Sequence, residues 1–134
     1  DVRLFVTRLG DPREGPVLAV RFQQVGGAGR GEAVEYTSPV GAVSFESVED
    51  VSARVRLAQR AGHYELTVPL AVLGIARPQE GTELRGDIGV LIGDGSDTHA
   101  RLYWSNKATH MTTDIPTEAA LQPRHWGTWR FERE

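Results

Sequence analysis

The chain of 134 residues contains no cysteine. That excludes disulfide bonds, thiolate metal sites and cysteine nucleophiles together. Lysine and asparagine are almost missing too, since Lys107 and Asn106 are the sole examples and stand side by side. Like charges never form a run, and 15 basic residues against 18 acidic ones leave a net charge of −3. The electrostatic footprint of a nucleic-acid partner is therefore missing. No apolar stretch approaches the roughly 18 residues of a membrane span, and Asp1 opens into a strand-like run without a signal-peptide pattern. The sequence predicts a soluble mature chain that does not insert into a membrane.

Sustained helical periodicity is also absent. Apolar and polar residues alternate instead, and 134 residues suit a single domain around one core. Val2 to Arg8 sets Val2, Leu4 and Val6 on one face. The dense turn signal Gly10 to Pro16 then leads into a second strand, Val17 to Val25, so the two are expected to form a hairpin. Further strands are expected at Val34 to Thr37, Ala42 to Glu46, Val51 to Ala58, His63 to Pro69, Leu84 to Ile92, Ala100 to Ser105 and Trp126 to Glu132. Helix should be limited to single turns at Leu70 to Gly74 and Thr117 to Leu121. The glycine-rich segment Gly26 to Gly31 fits no phosphate-loop spacing and reads as a loop tip. Eight or nine short strands with frequent turns predict an all-β antiparallel sandwich of the jelly-roll or immunoglobulin-like kind. Tyr64, Leu66, Val68, Ile88, Val90 and Leu102, which share faces of the best-patterned strands, are the expected core.

Catalytic machinery is hard to find. No serine stands in a G-x-S-x-G context, and His63, His99, His110 and His125 have no short ligand spacing. The carboxylates Glu46, Glu49, Asp50, Glu65, Asp87, Asp94 and Asp97 sit mostly at strand ends and turns, as solvated groups do. Gly93-Asp94-Gly95-Ser96-Asp97 offers Asp94 and Asp97 as oxygen ligands for Ca²⁺, although the twelve-residue calcium loop is lacking. No other cofactor is expected. A better lead is Arg101-Leu102-Tyr103-Trp104-Ser105-Asn106-Lys107, where a strand runs into a loop. Amide, ammonium and guanidinium donors there stand beside an indole, and sugars present hydroxyls to such donors and C–H faces to such rings. The alternative is that Trp104 shares an inward face with Leu102 and Ala100 and fills the core.

Several segments resemble family 9 carbohydrate-binding modules and their DOMON-like relatives. They are Gly62-His63-Tyr64-Glu65-Leu66-Thr67-Val68-Pro69, Leu73-Gly74 with Pro78 and Gly81, and Leu84-Arg85-Gly86-Asp87-Ile88-Gly89-Val90. Arg101 to Ser105, a loop with Asp114 and Pro116, and Trp126-Gly127-Thr128-Trp129-Arg130-Phe131 complete the set. The resemblance implies a β-sandwich that holds a sugar between tryptophans, with Arg3 and Asn106 at the polar positions. It also implies that the chain corresponds to the later two-thirds of such a module, whose N-terminal strands would precede Asp1. The loop that carries one stacking tryptophan in the family, Asn106 to Pro116 here, holds His110 and Met111 instead. Some DOMON domains bind haem, for which Met111 with His110, His125 or His63 would have to serve as axial ligands.

The expected function is non-catalytic binding of a glycan or polysaccharide through Arg3, Arg101, Trp104, Asn106 and Lys107, as part of a larger extracellular or periplasmic bacterial protein. The rival is a structural or protein-interaction sandwich of a secreted scaffold that has lost the sugar site.

Overall fold

The structure, a computed structural model, describes residues 1–24, 31–39, 41–94, 97–107 and 123–132. Its strands are β1 (Val2–Arg8), β2 (Val17–Gln23), β3 (Glu32–Ser38), β4 (Gly41–Asp50), β5 (Arg56–Arg60), β6 (His63–Thr67), β7 (Glu83–Gly86), β8 (Gly89–Gly93), β9 (Thr98–Tyr103) and β10 (Gly127–Arg130). Every strand pairing among the described residues is antiparallel, and the only helical pieces there are 3-10 turns at Ser52–Arg54, Leu70–Leu73 and Pro123–His125. The chain adopts the all-β antiparallel class that its period-two patterning calls for. It divides into two compact units, Asp1–Ala76 and Arg77–Glu134.

In the first unit β1 and β2 form the expected hairpin, and a four-stranded sheet runs β1-β2-β4-β3. Alternation puts Leu4 and Val6 of β1 on the same face as Ala19 of β2, their register partners lying at Arg21 and Ala19. That face packs on Val51, Val55, Val72 and Val68. Removing the Val51 and Val72 side chains from water contributes ~1.5–3 kcal/mol each.

The expected continuous strand from Val51 to Ala58 is broken. Asp50 accepts both the backbone N–H and the hydroxyl of Ser52, which turns the chain into Ser52–Arg54. One turn brings Val51 and Val55 to the same buried side, and the Ser52 hydroxyl oxygen accepts the N–H of Ala19 at 2.9 Å. Asp50 is held below its ordinary pKa by the Ser52 hydroxyl first and the Ser52 N–H second.

The helical turn expected at Leu70 to Gly74 is present as Leu70–Leu73, stopped by Gly74 in the left-handed conformation (φ 73°). Arg21, with only 8% of its surface exposed, fixes that turn: its Nε donates to the Val72 carbonyl at 2.7 Å and its Nη2 to Gln23 Oε1 at 2.7 Å. The second helical turn, expected at Thr117 to Leu121, lies outside the described residues, as does nearly all of Gly26 to Gly31.

The expected core needs correction. Val68 packs against the real core, but Tyr64 (67%), Leu66, Ile88, Val90 and Leu102 are exposed. Period-two spacing set these side chains on shared faces, but a face is buried only where another layer covers it. They sit in or beside two-stranded ribbons, β5-β6 and β8-β9, rather than in the four-stranded sheet.

In the second unit β7 pairs with β10 and β8 with β9. The single strand expected from Leu84 to Ile92 is two, interrupted at Asp87 and Ile88. The Asp87 carboxylate accepts the N–H of Ile88 and draws on the loop after β9, so the backbone there leaves the extended ladder.

Candidate functional site

The loop that follows β9 begins where the backbone N–H of Trp104 donates to the Ile88 carbonyl at 2.9 Å. Asp87 then holds the next two residues. Its Oδ1 accepts the N–H of Ser105 and its Oδ2 the N–H of Asn106, both at 2.8 Å. With the Ile88 N–H at 2.9 Å, three backbone donors converge on this one half-buried carboxylate. Charge-assisted bonds of this kind are about twice as strong as neutral ones, so the loop is fixed at its base.

Trp104 is 55% exposed, so the core-filling alternative does not hold for it. Its indole is nonetheless supported from below. A β-carbon at position 127 would clash with ring atoms Cζ3 and Cη2, so the absence of a side chain at Gly127 is what lets the indole lie against β10. The Ser105 hydroxyl adds a second tie to this region by donating to the His125 carbonyl at 3.1 Å. Two other rings in this unit rest on glycines in the same way: Trp129 on Gly86 and Tyr103 on Gly89, its direct register partner. Trp126 is half-buried.

Lys107 folds back along the loop. Its Nζ donates to the carbonyls of Tyr103 at 3.0 Å and Trp104 at 2.7 Å, which folds the ammonium onto the backbone at the end of β9 with one of its three hydrogens to spare. Asn106 is half-buried and has interactions of its own. Trp104, Asn106 and Lys107 are thus brought together on one pinned loop.

The remaining expected residues are not part of this loop. Arg101 is half-buried in β9, in register with Leu91, and Arg3 is in β1 of the first unit, in register with Phe22. Both are engaged in interactions of their own. Asp94 Oδ1 accepts the N–H of Asp97 at 3.0 Å and Asp94 Oδ2 pairs with His99 Nε2 at 3.0 Å, which closes the turn between β8 and β9. Among the described residues no three His, Asp or Glu side chains converge on a point where a metal could be held. His110 and Met111 lie outside the described residues.

Asp87, expected among the solvated carboxylates of strand ends and turns, is instead half-buried and bonded to three backbone N–H groups, and Gly127 was given no part in the site. A carboxylate between two glycine-flanked strands (Gly86-Asp87-Ile88-Gly89) and a glycine set between tryptophans (Trp126-Gly127-Thr128-Trp129) were the signals available. No protein-family model matches the chain, and neither a curated protein nor a solved structure matches it.

Proposed function

We propose that the chain is a non-catalytic carbohydrate-binding module of an extracellular or periplasmic protein, and that it holds a glycan on the loop after β9. The observation that carries this reading is Trp104, a more than half-exposed indole supported by Gly127. A ring held in this way offers a flat apolar face at little entropic cost on binding, and a pyranose can stack on it through its C–H face. Asn106 and Lys107 stand next to it with donors for hydroxyls, on backbone that Asp87 has already ordered. No bond is made or broken in this role. Calorimetry or affinity electrophoresis of the wild type and Trp104→Ala against a panel of polysaccharides tests it. Binding that disappears with the indole supports the reading, whereas binding that is unchanged in Trp104→Ala, or absent throughout, overturns it.

A second reading, a protein-interaction module, is favoured by the exposed Val90, Leu91, Ile92 and Leu102 of β8 and β9, with Ile88 beside them. Apolar side chains in that number on one ribbon are unusual for a surface with no partner. Under this reading the glycan panel is silent, and Val90→Glu with Leu102→Glu removes association detected by light scattering.

A further inference from the structure

We propose that the Trp104 surface selects acidic glycans, chains that carry carboxylate or sulfate groups, over neutral ones. This rests on the reading of that loop as a sugar-binding surface.

Three permanent cations stand on this loop, on the turn tied to it and on β7. Lys107 Nζ is held by the Tyr103 and Trp104 carbonyls, which are neutral acceptors. The turn Pro123–His125 is tied to the loop by the Ser105 hydroxyl, and on that turn the exposed Arg124 donates from Nε to His125 Nε2 at 3.1 Å. From β7 the exposed Arg85 brings Nη2 to within 3.4 Å of the Arg124 carbonyl and 3.5 Å of the Pro123 carbonyl. None of these partners is a carboxylate. Neither the Arg54–Glu49 nor the His99–Asp94 ion pair involves these three cations.

Among the described residues the carboxylate bonded to the loop is Asp87, whose oxygens accept the N–H groups of Ile88, Ser105 and Asn106. Among the described residues of the loop, its turn and its anchor, three cations thus stand against one carboxylate, in a chain whose net charge is −3. A guanidinium fork matches a carboxylate or sulfate in two parallel bonds, which a hydroxyl cannot reproduce. An acidic sugar would stack its C–H face on Trp104 while its anionic group reaches Arg124, Arg85 or the remaining N–H of Lys107. Single-stranded nucleic acid also combines stacking with anionic charge, but it needs a groove of basic residues along its backbone. The acidic balance of the whole chain disfavours that.

Affinity electrophoresis decides the matter, with native gels containing polygalacturonate, heparin, or neutral xyloglucan and dextran, and a single-stranded DNA oligomer tested by gel shift. The expected result is retardation in the acidic gels, weakened by added salt, and a loss of roughly ten- to a hundredfold in affinity in Lys107→Gln/Arg124→Gln. Lys107→Arg should keep the binding. Retardation by polygalacturonate alone identifies carboxylate as the recognised group, and by heparin alone sulfate. Equal binding of neutral glycans that still depends on Trp104 overturns this inference and leaves the proposed function standing; no glycan binding at all overturns both. Acidic-glycan binding that survives the double substitution, or equally tight DNA binding, also overturns it. Circular dichroism of each variant confirms that the exposed substitutions leave the fold intact.

Discussion

Asp87 Oδ2 accepts the backbone N–H of Asn106 at 2.8 Å, which joins the end of β7 to a loop nineteen residues later in the chain. Together with the bonds to Ile88 and Ser105, this makes one carboxylate the anchor of the whole candidate surface. Replacing it by alanine strands three amide donors. We expect Asp87→Ala to cost ~1.5–3 kcal/mol in chemical denaturation of the second unit and to speed hydrogen exchange at Ser105 and Asn106. Unchanged exchange at both amides would show that the loop is ordered by something else.

The contact between Trp104 and Gly127 can be tested from its small side. Gly127→Ala places a methyl where the indole lies, so the ring must swing away at a cost of ~1–3 kcal/mol, and glycan binding should fall with it. In the double variant with Trp104→Ala the clash is gone. The double variant should therefore be no less stable than Trp104→Ala alone, which a comparison of the three denaturation midpoints checks.

Burial separates Val72 from Leu66 within the first unit. Val72 is 1% exposed in the core, and Val72→Ala should lower stability by about 2 kcal/mol. Leu66 stands exposed on β6, so Leu66→Ala should change it by no more than about 0.5 kcal/mol. Equal shifts in the urea midpoint would mean that the β5-β6 ribbon is covered in solution.

Asp50 offers a test by pH. Its carboxylate is held below the ordinary value of about 3.9 by the hydroxyl and then the N–H of Ser52, so these bonds favour the ionised form. A depressed pKa in the folded state means that the contribution to stability is present in full above that ordinary value. It is lost as pH falls below it and through the folded pKa. In Ser52→Ala the Asp50 carboxyl should titrate closer to the ordinary value, as read from its carboxyl carbon chemical shift. No change would show that the hydroxyl does not govern it.

How far the sequence could be read depended on what each pattern encodes. The bounds of β1, its hairpin with β2 and the turn at Leu70–Leu73 with its Gly74 stop were legible, because alternation and glycine capping act over a few residues. The break at Ser52 and the one at Asp87 were not. In both cases a carboxylate diverts the backbone by bonds that alternation does not register. Burial of Tyr64, Leu66 and Leu102 could not be read either, since a period of two says which residues share a face and nothing about what covers it. At the candidate surface, the rarity of asparagine and lysine marked Asn106 and Lys107. The tryptophans around Gly127 marked it as unusual, but they did not point to Trp104, because that contact joins residues far apart in the chain.

The three rings resting on glycines also bear on how this sequence can drift. Gly86 with Trp129, Gly89 with Tyr103 and Gly127 with Trp104 each join a residue that has no side chain to one of the largest. Neither partner of such a pair is free to change first. Enlarging the glycine evicts the ring, and shrinking the ring exposes bare backbone that glycine does not protect. Relatives of this chain should therefore keep or exchange both members of a pair together, with a smaller residue replacing the aromatic wherever the glycine has gained a β-carbon.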